Sequence, residues 1–124
     1  VGFCSDSKGY VGTGFDFESS TVNTYYRDFW EYDPVADAWI QKSDFGGIER
    51  WEAVGFSIES KGYVGTGSYF DQENQYCKDF WEYDPVANSW TQKADFGGLE
   101  RWGAVSFGID KKGYVGTGHS NLYP

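Results

Sequence analysis

Two arginines are the residues of this chain best suited to binding a negatively charged group. Both occur in the same local sequence, Glu-Arg-Trp. They are Arg50 and Arg101, and they lie 51 residues apart. A guanidinium can hold a carboxylate through two parallel hydrogen bonds, so a ring of such arginines would attract an acidic ligand. The other interpretation is structural: each arginine would hold its own segment in place, through Glu49 or Glu100.

Aromatic side chains accompany amides and carboxylates in two further stretches, residues 15–27 and 68–78. Flat rings beside hydrogen-bonding groups suit the recognition of a carbohydrate or a peptide. In the alternative interpretation, several of these rings only cover outer edges of the fold. Trp51 and Trp102 recur at matching positions, which favours a role in packing over ligand recognition. The candidate ligand-binding residues are Arg50, Arg101, Trp51, Trp102, Tyr25, Tyr69, Phe70, Asp71, Asn74 and Tyr76.

Groups for catalysis or metal binding are scarce in this sequence. The single histidine, His119, cannot support a Ser-His-Asp arrangement, and no motif that cradles phosphate occurs. Cys4 and Cys77 form no CxxC pair and neither lies near the histidine in sequence. We therefore predict no catalytic residue, no metal site and no cofactor.

The chain is strongly acidic, with a formal net charge of −9 and a pI near 4.4. Nucleic acid and anionic membrane surfaces would repel such a molecule. No stretch approaches the roughly 18 consecutive apolar residues of a membrane-spanning helix. We expect neither nucleic acid binding nor membrane insertion.

A repeat of 51 residues must position these groups. The stretch from Asp28 to Val54 returns almost unchanged from Asp79 to Val105, and Lys-Gly-Tyr-Val-Gly-Thr-Gly begins at Lys8, Lys61 and Lys112. Short β-type runs alternate with turn residues, and no helical periodicity occurs. Repeats of this kind form propellers or arrays, in which each copy buries its apolar faces against its neighbours.

Each complete repeat holds four strand-like runs, which is the strand number of a propeller blade. In the second repeat these runs are residues 51–58, 63–65, 80–83 and 90–93. Side chains alternate in size along the first run, with Val54, Phe56 and Ile58 on one face and Ala53, Gly55 and Ser57 on the other. The large face of one blade would fit the small face of the next.

The cysteines do not occupy matching positions in the repeats. A disulfide closing so long a loop would stabilise the fold by roughly 4 kcal/mol. The alternative is a pair of small buried thiols, which we favour because Cys4 aligns with Ser57 among small side chains.

The strand directions predict that the longer connections emerge together on one face, where ligands bind most readily. These connections are residues 15–27, 44–50, 68–78, 95–101 and 119–123. Only compact turns, such as the one at Asp84-Pro85, lie at the opposite end.

The repeat resembles the Kelch motif. The second copy has an apolar run that ends in glycines (residues 63–67), then Tyr83-Asp84-Pro85, Trp90, and Arg101 before a small-residue strand. Gly-Thr-Gly replaces the paired glycines of that motif and could slightly alter the tight approach of the strands there. Kelch repeats, by this resemblance, build closed propellers of about six or seven blades.

The expected fold is therefore all-β, with Kelch-type blades of four antiparallel strands and an incomplete ring. Residues 1–43 would form a partial blade, residues 44–94 a full blade and residues 95–124 the start of a further blade. The remaining blades would come from the rest of a longer chain or from other copies of this chain.

The resemblance and the acidic composition imply a non-catalytic module, extracytoplasmic and bacterial in style, that binds a protein or carbohydrate ligand through its long-loop face. The alternative is part of a Kelch-superfamily enzyme, similar to a sialic acid mutarotase or to galactose oxidase. In that case most catalytic residues would lie outside this chain.

Overall fold

A computed structural model describes residues 1–19 and 22–121 of the chain, and all regular structure within them is antiparallel β-sheet. The strands are β1 (Gly2–Ser5), β2 (Lys8–Ser19), β3 (Val22–Asp33), β4 (Ala38–Gln41), β5 (Val54–Ile58), β6 (Lys61–Gly65), β7 (Ser68–Asp71), β8 (Glu73–Tyr76), β9 (Phe80–Asp84), β10 (Ser89–Lys93), β11 (Val105–Ile109) and β12 (Lys112–Gly116). The predicted all-β fold class is confirmed. The described residues contain no helix long and apolar enough to cross a bilayer.

Three main sheets follow one another along the chain. The first has the order β1-β2-β3-β4, the second β5-β6-β9-β10, and the third contains β11 and β12. Each of the predicted segments 1–43, 44–94 and 95–124 therefore holds one main sheet. The first segment, expected as a partial blade, has all four strands.

In each complete sheet a tight turn with an aspartate at its start joins β3 to β4 or β9 to β10. The Asp33 carboxylate accepts hydrogen bonds from the backbone N–H groups of Val35 at 2.9 Å and Ala36 at 3.2 Å. Asp84 does the same in the second repeat, at the same two distances. These bonds explain why Asp-Pro begins the turn in both copies.

The stretches expected as loops at residues 15–27 and 68–78 are mostly strand. In the first repeat β2 and β3 run on past the blade, and Phe15 pairs with Tyr25. In the second repeat β7 and β8 form a separate hairpin, with Ser68 opposite Tyr76. The expectation of irregular loops is thus wrong, because backbone pairing continues where the apolar pattern stops.

The Gly-Thr-Gly segments separate these hairpins from the blades. Thr13, Thr66 and Thr117 have φ values of 58°, 56° and 62°, a left-handed conformation that is costly for a β-branched residue. The pairing of β2 with β3 shifts register between Gly12 and Gly14.

The sheets pack with the large face of one against the small face of the next, as the alternation of side-chain size predicts. The Phe3 ring lies against Gly62, where a methyl group would overlap it, and the Phe56 ring lies against Gly113 in the same way. Phe3, Tyr10 and Phe29 of the first sheet form one core cluster with side chains that follow them in the chain. Those partners are Phe45, Val64 and Tyr83.

The outermost faces of the stack are uncovered within the described residues. Phe107 is 52% exposed, although its counterpart Phe56 is only 8% exposed. At the other end Val11 is 42% exposed and its counterpart Val64 is fully buried. The burial of these positions therefore depends on a neighbouring sheet and not on the residue type.

Candidate functional site

The connections between sheets and the projecting hairpins meet on one face of the stack. The backbone N–H of Gly14 donates to the carbonyl oxygen of Arg50 at 2.8 Å, and that of Gly67 donates to the carbonyl of Arg101 at 2.8 Å. Trp51 and Ser68 exchange two backbone hydrogen bonds, each of 2.9 Å. The connection at residues 44–50 therefore lies between the two hairpins.

Arg50 is fully buried beneath this face. Its guanidinium donates to both carboxylate oxygens of Asp79, at 2.7 and 2.9 Å, and to the carbonyl of Thr66 at 3.0 Å. A further bond of 3.1 Å reaches the carbonyl of Ile48. The arginine therefore holds its own connection in place, and the carboxylate that it uses is Asp79 and not Glu49 or Glu100.

The ion pair sets the charge of Asp79. Burial alone would raise the pKa of this carboxyl, but the hydrogen bonds and positive charge of Arg50 outweigh burial and lower its pKa. The indole N–H of Trp81 donates a third bond, of 2.7 Å. Asp79 is thus ionised at neutral pH, and its charge is already matched inside the protein.

Arg101 keeps only part of this arrangement. Its guanidinium donates to the carbonyls of Leu99 at 3.1 Å and Thr117 at 2.8 Å, and it lies 4.5 Å from the centre of the Phe96 ring. The side chain is half-buried, and among residues 1–19 and 22–121 no carboxylate takes the place that Asp79 takes beside Arg50. Its predicted role in ligand binding stays open.

Two aromatic stacks recur on this face. In the first stack the Trp51 ring lies 5.3 Å from Tyr25 and 5.4 Å from Phe15. In the second stack the Trp102 ring lies 6.3 Å from Tyr76 and 5.1 Å from His119. Phe15 is 48% exposed, His119 is exposed, and the four other rings are half-buried. The structure thus brings together the four predicted residues Tyr25, Trp51, Tyr76 and Trp102 in pairs.

A cleft of about 320 Å³ opens beside the second stack. Its lining residues are Tyr69 and Tyr76 of the hairpin, the ion pair of Arg50 and Asp79, and Ile48, Cys77, Lys78, Gln92 and Asp95. Phe70 and Asn74 face each other across the hairpin and lie outside this cleft. Asp71 and Tyr69 border a second hollow of about 500 Å³.

The cysteines are both free thiols, so the disulfide that the sequence left open does not form. Cys77 is buried, and burial raises the pKa of its thiol to about 11, which makes it a weak nucleophile at neutral pH. The expectation that Cys4 is buried is wrong. It is exposed because it lies on the uncovered face of the first sheet.

The sequence did not single out Lys78, Asp79 or His119 as site residues. The repeat itself carried a signal for Asp79, because Asp28 and Asp79 both stand two residues before a tryptophan. Lys78 lines the cleft where the backbone N–H of Phe96 in the next connection donates to its carbonyl oxygen at 2.7 Å. Across residues 1–19 and 22–121 no three His, Cys, Asp or Glu side chains are grouped closely enough to hold a metal ion.

Fold and site together define a propeller-like stack of blades with an aromatic face. No protein-family model matches the chain, and no curated protein matches it. A solved structure described as the structure of YjhT superposes with a TM-score of 0.76 at 23% sequence identity. The match covers 92% of this chain and 32% of that one, so the chain spans about a third of YjhT. At this identity the likeness shows the fold alone.

Proposed function

We propose that this chain is part of a Kelch-type propeller that binds a protein or carbohydrate ligand, without catalysis, through the face formed by its hairpins and connections. The propeller-like fold supports the Kelch resemblance of the Tyr-Asp-Pro, tryptophan and arginine positions. Arg50 contributes by fixing the connection on which Trp51 stands. The remaining blades would be supplied by further sequence or by further copies.

The observation that carries this proposal is the repetition of the aromatic stacks. Half-buried rings at Tyr25 and Trp51, and again at Tyr76 and Trp102, present flat apolar area in matching positions of two repeats. Exposed polar groups on the same hairpin include Asp71 and Asn74. Rings that stack on a sugar or a side chain, flanked by groups that fix orientation, form typical recognition surfaces.

The alternative is a propeller enzyme, similar to a sialic acid mutarotase or to galactose oxidase. The cleft at Tyr69, Lys78 and Asp95 favours it, because its volume of about 320 Å³ lies at the lower end of the range for small-molecule sites. Conversion of sialic acid anomers, or oxidation of galactose with added copper, would support this alternative. Both enzyme assays should be run on the same protein as the binding screen.

The binding proposal is tested with a glycan array and a peptide library, followed by titration of the best ligand. We expect Trp102→Ala to weaken that ligand by about tenfold or more, because central aromatic anchors dominate such surfaces. Trp39→Ala is the matched control: its ring is 54% exposed and stacks on Tyr32, at the far end of the blade. No ligand in either screen, or equal losses for both variants, would contradict the proposal.

A further inference from the structure

The two repeats differ where each hairpin meets its blade. The first repeat has Tyr26 and Arg27 there, and the second has Cys77 and Lys78 at the matching positions. A tyrosine precedes each pair and an aspartate follows it, so the alignment of the repeats is unambiguous at this point. The second repeat therefore has a small thiol in place of a large ring and an ammonium in place of a guanidinium.

The backbone at these positions is held in the same way in both repeats. The N–H of Phe45 donates to the carbonyl oxygen of Arg27 at 2.7 Å, and the N–H of Phe96 donates to that of Lys78 at 2.7 Å. In the first repeat two nitrogens of the Arg27 guanidinium also donate to the Phe45 carbonyl oxygen, at 3.1 and 2.8 Å. A lysine has no second nitrogen for this contact, so Lys78 cannot fasten its side chain to the connection in the same way.

The cleft of about 320 Å³ lies where the second repeat has these smaller groups. Cys77 and Lys78 both line it, together with the rings of Tyr69 and Tyr76 and the apolar side chain of Ile48. Because the Cys77 side chain borders the cleft, the tyrosine that the first repeat carries at this position would take up part of its volume. The cleft is therefore a feature of the second repeat and not of the shared blade.

Four charged side chains line the cleft, and two of them are matched inside the protein. Arg50 and Asp79 form the ion pair described above. Lys78 and Asp95 are both exposed and do not pair with each other, and neither has another ion-pair partner among residues 1–17 and 23–121. The cleft thus presents one free cation and one free anion beside two aromatic rings.

These two charges are free for a reason that lies in the repeat itself. Arg27 and Asp44 are the counterparts of Lys78 and Asp95, and the complete second sheet follows them in the chain. Neither counterpart forms an ion pair with a side chain of that sheet, all of whose residues the structure describes. A following sheet of the same sequence would therefore leave Lys78 and Asp95 available to a ligand.

We propose that this cleft binds a small zwitterion, a free amino acid with an apolar side chain. The ligand carboxylate would accept from Lys78, and the ligand ammonium would donate to Asp95. Its side chain would lie against the rings of Tyr69 and Tyr76. The cleft volume, at the lower end of the range for small-molecule sites, matches a single molecule of this kind. This site is additional to the glycan or peptide binding proposed for the aromatic stacks and does not depend on it.

The test titrates the whole chain with free phenylalanine and follows the heat of binding by isothermal titration calorimetry. We expect saturable binding. N-acetylphenylalanine lacks the ammonium and phenylalanine amide lacks the carboxylate, so each should bind about fivefold more weakly or worse, because each loses one charged contact at an exposed side chain. Sialic acid has a carboxylate without an ammonium and should not displace phenylalanine.

Single protein variants assign each charge of the ligand to its partner. Lys78→Gln should weaken phenylalanine about fivefold and leave the binding of phenylalanine amide unchanged, because the amide has no carboxylate to lose. Asp95→Asn should weaken phenylalanine to a similar extent and leave the binding of N-acetylphenylalanine unchanged. Asp44→Asn is the matched control, since Asp44 has the place of Asp95 in the first repeat, and it should bind phenylalanine as the wild type does.

A transfer between the repeats tests the origin of the cleft. The double variant Cys77→Tyr, Lys78→Arg gives the second repeat the pair that the first repeat already accommodates. It should abolish phenylalanine binding while the midpoint of thermal unfolding stays close to that of the wild type. Absence of saturable phenylalanine binding, equal affinity for the two single-charge derivatives, displacement by sialic acid, or unchanged binding by the double variant would overturn the proposal.

Discussion

Arg50 shows what a repeated arginine does when its partner is present. Removing a guanidinium from water is costly, and here a carboxylate and two carbonyl oxygens replace the lost hydration. The result ties the connection at residues 48–50 to Thr66 and to the third strand of the same sheet. The side chain has no exposed surface, so any effect of Arg50 on a ligand would pass through the position of Trp51.

The first prediction concerns this ion pair. Asp79→Asn should lower the free energy of unfolding by about 3 kcal/mol, the lower end of the range for a broken buried pair, since the Asp79 side chain is 24% exposed. Asp28→Asn is the matched control, because Asp28 accepts from the Trp30 indole at 2.6 Å but binds no arginine among the described residues. Urea unfolding of both variants at neutral pH measures the difference.

The effect of Asp79→Asn should depend on pH in a stated direction. The pKa of Asp79 is lowered in the folded protein from its ordinary value of 3.8, so its contribution is complete well above that value and is lost as pH falls through the folded pKa. Wild type and variant should therefore converge in stability as the pH falls from 3.8 to below the folded pKa of Asp79. A difference that stays constant over that range would contradict the assigned role.

The sequence could predict that the arginines matter but not which role each takes. The carboxylate partner of Arg50 stands 29 residues further on, and only the fold brings the two together. The neighbouring Glu49 and Glu100 were the obvious partners in sequence. Sequence proximity was misleading because the Arg50 guanidinium reaches a carboxylate on another part of the chain.

At the scale of elements, the hairpins were the part that the sequence did not predict. The stretch from Tyr69 to Gln75 lacks alternating apolar residues, since neither face of this hairpin packs against a full sheet. Its pairing rests on backbone hydrogen bonds, which leave no pattern in side-chain type. The strands of the blades were predictable because they pack against a neighbouring sheet, and this packing leaves a pattern of alternating large and small side chains in the sequence.

The second prediction tests the packing of one sheet on the next. Gly62→Ala should destabilise the fold by about 1–3 kcal/mol, because the new methyl group would overlap the Phe3 ring. Gly9→Ala is the matched control: Gly9 has the same place in the first sheet, where a methyl group would meet only the Tyr32 Cβ at 3.8 Å. Thermal unfolding should separate the two, and equal effects would show that the sheets do not pack in this way.

At the scale of the whole molecule, the repeat made the architecture predictable. Two copies of one sequence form equivalent sheets, and the alternation of large and small side chains along β5 determines how these sheets stack. The extent of the first sheet was less predictable. Its first strand, β1, begins at Gly2, and the alignment of the repeats therefore made this sheet look like a partial blade. Within residues 1–19 and 22–121 the side chains that fill each interface are also present at the two ends of the stack, where they are exposed.

The most direct test of the blade stack compares one phenylalanine at two places in the repeat. Phe56 is 8% exposed and packs between the second and third sheets, whereas Phe107 is 52% exposed on the outer face. Phe56→Ala should lower the free energy of unfolding by about 3–5 kcal/mol and Phe107→Ala by about 1 kcal/mol or less, measured by urea unfolding of the whole chain. Equal losses for the two variants would contradict the account.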